Sequence, residues 1–112
     1  MGAGYVGAVS VDLHLPASGS LKDKRREVKR VVHGLARRFG ASAAEVDHQD
    51  LRQRARITAA IVGGDAHDLG ARVEAVSRWL HADEVFQVVG ESREIIRIDD
   101  EEAWTGHGQP EE

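Results

Sequence analysis

The sequence predicts an α+β domain in the order β-α-β-β-α-β, with two helices on one face of a four-stranded antiparallel sheet. Three observations carry this reading. Apolar residues recur at every second position from Tyr5 to Leu15 and again from Arg54 to Val62, the period of a half-buried strand. Two segments opened by Ser20 and Asp65 switch to the 3.6-residue period of a helix. The chain has 112 residues, 4% aromatics and no cysteine, so it fits one domain with an aliphatic core and no disulfide staples.

In the first strand Val9, Val11, Leu13 and Leu15 point one way and Ser10, Asp12 and His14 the other. Pro16 ends it, and Ala17-Ser18-Gly19 makes a loop. Ser20 caps a helix over 21–39, with Asp23 placed to return a capping bond to the Ser20 amide. Leu21, Val28, Val31, Val32, Leu35 and Phe39 form its apolar stripe, and Gly40 follows as a left-handed C′ residue. Ala41–Val46 reads as a short second strand, joined by the polar loop Asp47-His48-Gln49-Asp50 to a third. There Ala55, Ile57, Ala59 and Ile61 alternate with Arg54, Arg56 and Thr58 before Gly63-Gly64 breaks the run. Asp65 caps a second helix with the stripe Leu69, Val73, Val76 and Leu80. Val85–Ile98 is a last strand whose phase requires a bulge or bend around Gly90. Residues 1–98 make the domain, and 99–112 read as an acidic, disordered tail. Right-handed crossovers set the strand order 4-1-3-2, a ferredoxin-like arrangement.

Charge divides the chain unevenly. The net charge is −4, yet residues 1–98 hold all 15 Lys and Arg against 13 of the 19 acids, a net of +2. The acidity belongs to the tail. No apolar run approaches the about 20 residues that cross a bilayer, and the N-terminus lacks the basic start and long apolar stretch of a signal peptide. The expected setting is the cytoplasm, without membrane attachment.

Several motifs bear on chemistry. Gly2-Ala3-Gly4-Tyr5-Val6-Gly7 matches the dinucleotide-binding pattern letter for letter, but a strand follows it where that site needs a helix, so it is set aside. Asp47, His48 and Asp50, with His14, offer metal donors at no diagnostic spacing, and no metal or other cofactor is assigned. Ser18, Ser20, His14 and Asp50 lack a nucleophile elbow and an oxyanion hole, so the expectation is a protein that is not an enzyme. Helix one carries the strongest signal. Lys22, Arg26, Lys29, Arg30, His33 and Arg37 fall within an arc of about 100° opposite the apolar stripe and extend roughly 22 Å along the axis. Such a face binds phosphates by counterion release, although a solvated helix face has the same composition. Arg52, Arg54 and Arg56 are its auxiliaries. The outward strand positions carry no aromatic residue, so base stacking on the sheet is not expected. Val6, Ala8, Ala60 and Val62 extend that open face and suit packing against a second copy.

Two stretches also carry a resemblance. The run Ser20-Leu21-Lys22-Asp23-Lys24-Arg25 heading helix one, and Phe39-Gly40-Ala41-Ser42-Ala43-Ala44-Glu45-Val46-Asp47 followed by Gln53-Arg54-Ala55, resemble the bacterial YlxP-like family, domain of unknown function 503. The similarity spans roughly residues 5–98 and implies the same ferredoxin-like fold. That family's genes commonly lie among translation and ribosome-maturation genes, which implies work on RNA by association. The expectation is therefore a binding module for RNA or a ribosomal subunit. The alternative is a homodimeric protein-interaction module that docks through the open sheet face.

Overall fold

A computed structural model describes residues 2–99. The elements are β1 (Tyr5–His14), α1 (Leu21–Phe39), β2 (Ser42–Asp47), β3 (Arg54–Gly63), α2 (Ala66–His81) and β4 (Gln87–Arg97). The sheet order is β2-β3-β1-β4, with antiparallel pairing throughout, which is the expected order read from the opposite edge. The fold is ferredoxin-like. The expected tail falls, beyond Asp99, outside the described residues.

The core lies between the sheet and the helices. Val9, Val11 and Leu13 of β1 and Ala55, Ile57 and Ile61 of β3 are buried against Val31 and Leu35 of α1 and Leu69, Val73, Val76 and Leu80 of α2. Each buried Val, Leu or Ile among them contributes about 1.5–3 kcal/mol by leaving water, and the period-two and period-3.6 stripes of the sequence meet in one cluster.

Two glycines set the spacing of the layers. A Cβ on Gly7 would lie 2.7 Å from Val73 Cγ2, so β1 passes under α2 only because that position is bare. The third glycine of the dinucleotide-like motif is thus a packing device. A Cβ on Gly34 would lie 2.6 Å from Trp79 Cη2, and Trp79 also meets Phe39 edge to face at 6.0 Å. This is where the helices touch. Arg72 ties the same end together, donating to Phe39 O at 3.2 Å and Val62 O at 3.4 Å.

The helix ends follow their caps. Ser20 Oγ accepts from the Asp23 amide at 3.0 Å, and Asp65 Oδ2 accepts from the Asp68 amide at 2.8 Å. The Asp23 carboxylate bonds the Gly19 amide at 3.3 Å, one residue before the expected Ser20 amide. Asp is a methylene shorter than the Glu of a capping box. Gly40 takes the left-handed conformation, with φ 65°.

Both edge strands carry a bulge. On β4, Gly90 pairs with Asp12 and Val88 with Leu13, so Val89 is the extra residue beside the expected Gly90. On β2, Glu45 pairs with Ile57 and Asp47 with Arg56, so Val46 is extra. The strand begins at Gln87, two residues later than expected, because Asp83 Oδ1 accepts from the Val85 amide at 2.9 Å and holds that segment in a turn.

Candidate nucleic-acid interface

Helix α1 holds eight of the chain's 15 Lys and Arg and only two acids, Asp23 and Glu27. Its inward stripe is anchored in the core, so the basic arc is forced outward. Lys22, Lys29, His33 and Arg37 are all exposed, and none has an ion pair among the described residues. Arg25, on the flank of the arc, is exposed and unpaired in the same sense. Arg26 contacts Asp23 at 3.1 Å, with both side chains largely in solvent, a pair worth at most about 1 kcal/mol.

Arg30 differs from its neighbours. Its guanidinium meets both oxygens of Asp83 at 2.9 and 3.1 Å and Glu27 Oε1 at 2.8 Å. The bonds it donates to Asp83, outweighing desolvation and reinforced by Glu27, raise its pKa above the ordinary arginine value. Asp83 lies in the α2–β4 connection, so Arg30 fastens α1 to that loop. Arg38 turns aside as well and sits 5.6 Å above the Trp79 ring.

Arg54 and Arg56 do not join this surface. Their side chains project from the open face of the sheet, where Asp12 lies 3.2 Å from Arg54 Nη2 and 3.5 Å from Arg56 Nη1. Arg56 and Asp12 form a cross-strand pair, and Arg56 Nε also donates to Ser10 Oγ at 2.8 Å. Ser10 Oγ and Thr58 Oγ1 share a hydrogen bond at 2.8 Å in the next row. Arg52 is exposed in the β2–β3 connection, without an ion pair among the described residues. The nine basic positions therefore split into an α1 group, a sheet-face pair and one loop residue.

The possible metal donors are dispersed. His48 Nε2 lies 3.4 Å from Asp12 Oδ1, while Asp47 Oδ1 accepts from the His48 amide at 2.7 Å. Among the described residues no group of three His, Asp or Glu side chains is arranged to hold an ion.

Lys24 has a structural role that the charge pattern of α1 does not reveal. Its side chain is fully buried, and Nζ donates to His48 O at 2.7 Å, Gln49 O at 3.2 Å and Arg54 O at 3.2 Å. Those three bonds use all the ammonium protons. Glu45 Oε2, 2.8 Å away, balances the charge. A signal was present: Lys24 stands four residues before Val28 and seven before Val31, within the apolar stripe rather than opposite it.

The conserved-sequence model of a protein family of unknown function, DUF503, matches residues 6–93. The chain belongs to the DUF503 family. No curated protein matches the chain. In this DUF503 domain the head of α1 and the loop before it meet the start of β3. Lys24 bonds the carbonyl of Arg54, and Gln53 Nε2 donates to Pro16 O at 3.2 Å and Ser18 O at 3.3 Å. Ser20 caps, Lys24 clamps and Leu21 lies on the apolar side of α1. Within Ser20–Arg25, Lys22 and Arg25 are the exposed basic positions.

Proposed function

We propose that this DUF503 protein is an RNA-binding module of the cytoplasm, associated with a ribosomal subunit, that docks through the outward face of α1. The observation that carries the reading is a remainder. After the internal pairs of Lys24, Arg26 and Arg30 are formed, Lys22, Arg25, Lys29 and Arg37 still present positive charge along one side of the helix. A protein that needed only a solvated helix face would gain from acids spaced among these bases, and the face has few. Binding is electrostatic, led by phosphate contacts rather than base stacking. Four such contacts to single-stranded RNA imply an affinity loss of about 50-fold between 50 and 200 mM salt.

The test is a charge-reversal set, Lys22→Glu, Lys29→Glu and Arg37→Glu, titrated against ribosomal RNA by fluorescence anisotropy. Arg30 is left intact because it holds the Asp83 loop. The expected result is loss of salt-sensitive binding with an unchanged circular dichroism spectrum. Retained binding in the folded triple variant overturns the reading.

A further inference from the structure

The open face of the sheet has a layout that fits itself. Its apolar end carries Val6, Val62 and Ile96, in register across β3, β1 and β4, with Val62 72% and Ile96 45% exposed. Small residues follow, Ala60 beside Ala8 and Thr58 beside Ser10. The other end is charged but balanced: Asp47, Arg56 and Asp12 share a row, and Arg54 stands beside His14 in the next. Unlike basic α1, this face is close to neutral, with Asp12, Asp47 and Glu94 against Arg54 and Arg56, and does not favour a polyanion.

We infer that this face is the interface of a symmetric homodimer, with the two-fold axis lying between the sheets and parallel to the strands. Such an axis keeps each row level while exchanging left and right, so that β3 of one copy lies over β1 of the other. Val62 then faces the partner's Val6, Ala60 faces the partner's Ala8, and Thr58 faces the partner's Ser10. Arg56 faces the partner's Asp12, and the reverse contact completes the pair. The complementarity arises because β1 and β3 are the two central strands and carry opposite charges in one row. An axis perpendicular to the strands would instead set the valines against the charged end.

The area suffices. Strands of ten, six, ten and eleven residues, at about 3.3 Å per residue and about 4.8 Å apart, cover roughly 590 Å² on each copy. The pair therefore buries about 1,200 Å², the lower bound of stable protein–protein interfaces. Sheets stacked about 10 Å apart would leave both α1 helices on the outside, facing away from each other. The dimer does not depend on RNA binding.

The test is the mass of the full chain in solution at about 20 μM by light scattering, with three variants. The expected mass is twice the 12.2 kDa of one chain. Val62→Arg should weaken the dimer at least tenfold without changing the far-ultraviolet spectrum. Arg56→Asp should do the same by setting Asp against Asp, and Asp12→Arg added to Arg56→Asp should restore the dimer. A full chain that runs as a monomer overturns the proposal. If deletion of residues 100–112 then produces a dimer, the tail rather than a second copy is the occupant of this face. A dimer that survives Val62→Arg, or that the double charge swap fails to restore, places the interface elsewhere.

Discussion

Lys24 Nζ lies 2.8 Å from Glu45 Oε2, with the lysine side chain wholly buried beneath the β2–β3 loop. The pair turns a basic residue in the first turn of α1 into a structural fastener between α1, β2 and β3. It also separates the charges of α1 into those that hold the fold and those free to meet a partner.

Replacing Lys24 tests this separation. Lys24→Met keeps the length of the stem but strands three backbone carbonyls and the Glu45 carboxylate. Removing one member of a buried pair costs about 3–5 kcal/mol, so urea unfolding should show a loss of that size. A loss below about 1 kcal/mol would mean that water replaces the ammonium without penalty.

The contact of Gly34 with Trp79 gives a second test. Alanine is the better helix former by about 1 kcal/mol, so an unconstrained Gly34→Ala would stabilise α1. Here the new methyl meets the indole at 2.6 and 2.8 Å, and overpacking costs about 1–3 kcal/mol. The expected sign is destabilising in the wild type and stabilising in a Trp79→Ala background. Thermal denaturation of the four proteins checks both signs.

Acid stability should depend on Glu91. Burial pushes its pKa up, but hydrogen bonds from Ser77 and His81 and the charges of Arg93 and His81 outweigh this, leaving it below the usual 4.5. His81 Nε2 is 2.9 Å from Glu91 Oε1. A depressed folded pKa supplies stability above the unfolded value and loses it as pH falls through the folded one. Glu91→Gln should therefore lower stability at pH 6 and flatten its decline below about pH 4.5, the carboxylate range. Chemical denaturation at pH 6 and pH 3 measures the difference, and parallel declines for the two proteins would exclude this role.

Arg30 and Lys29 are adjacent in sequence yet should behave differently. Arg30→Ala removes the two bonds to Asp83 and the bond to Glu27, and should lower the melting temperature. Lys29→Ala should leave stability within about 0.5 kcal/mol, as expected for an open surface position, and reduce the salt slope of RNA binding by about 0.7. Equal effects of both on melting would contradict the division of the helix face.

Much of this architecture was legible because the stripes are clean. Val9, Val11 and Leu13 alternate without interruption, and Ser20 and Gly40 bracket α1 with the chemistry that helix ends require. The bulge at Val89 was legible as a break in phase near Gly90, whereas the one at Val46 was hidden in a strand of only six residues. The site was harder to read. Periodicity placed Arg30 on the basic arc but could not bring Asp83, 53 residues away in sequence, against it. Nor could it show that Arg54 joins Arg56 at Asp12 on the open face of the sheet. Those facts depend on long-range packing.

The most direct measurement is co-sedimentation of the purified full chain with ribosomal subunits across a salt series. Association with one subunit is expected at low salt, falling steeply as salt rises and absent for the Lys22→Glu, Lys29→Glu, Arg37→Glu variant. No association at the lowest salt, or association equally strong for that variant, would contradict the proposed role and leave the basic face of α1 as a solvated surface.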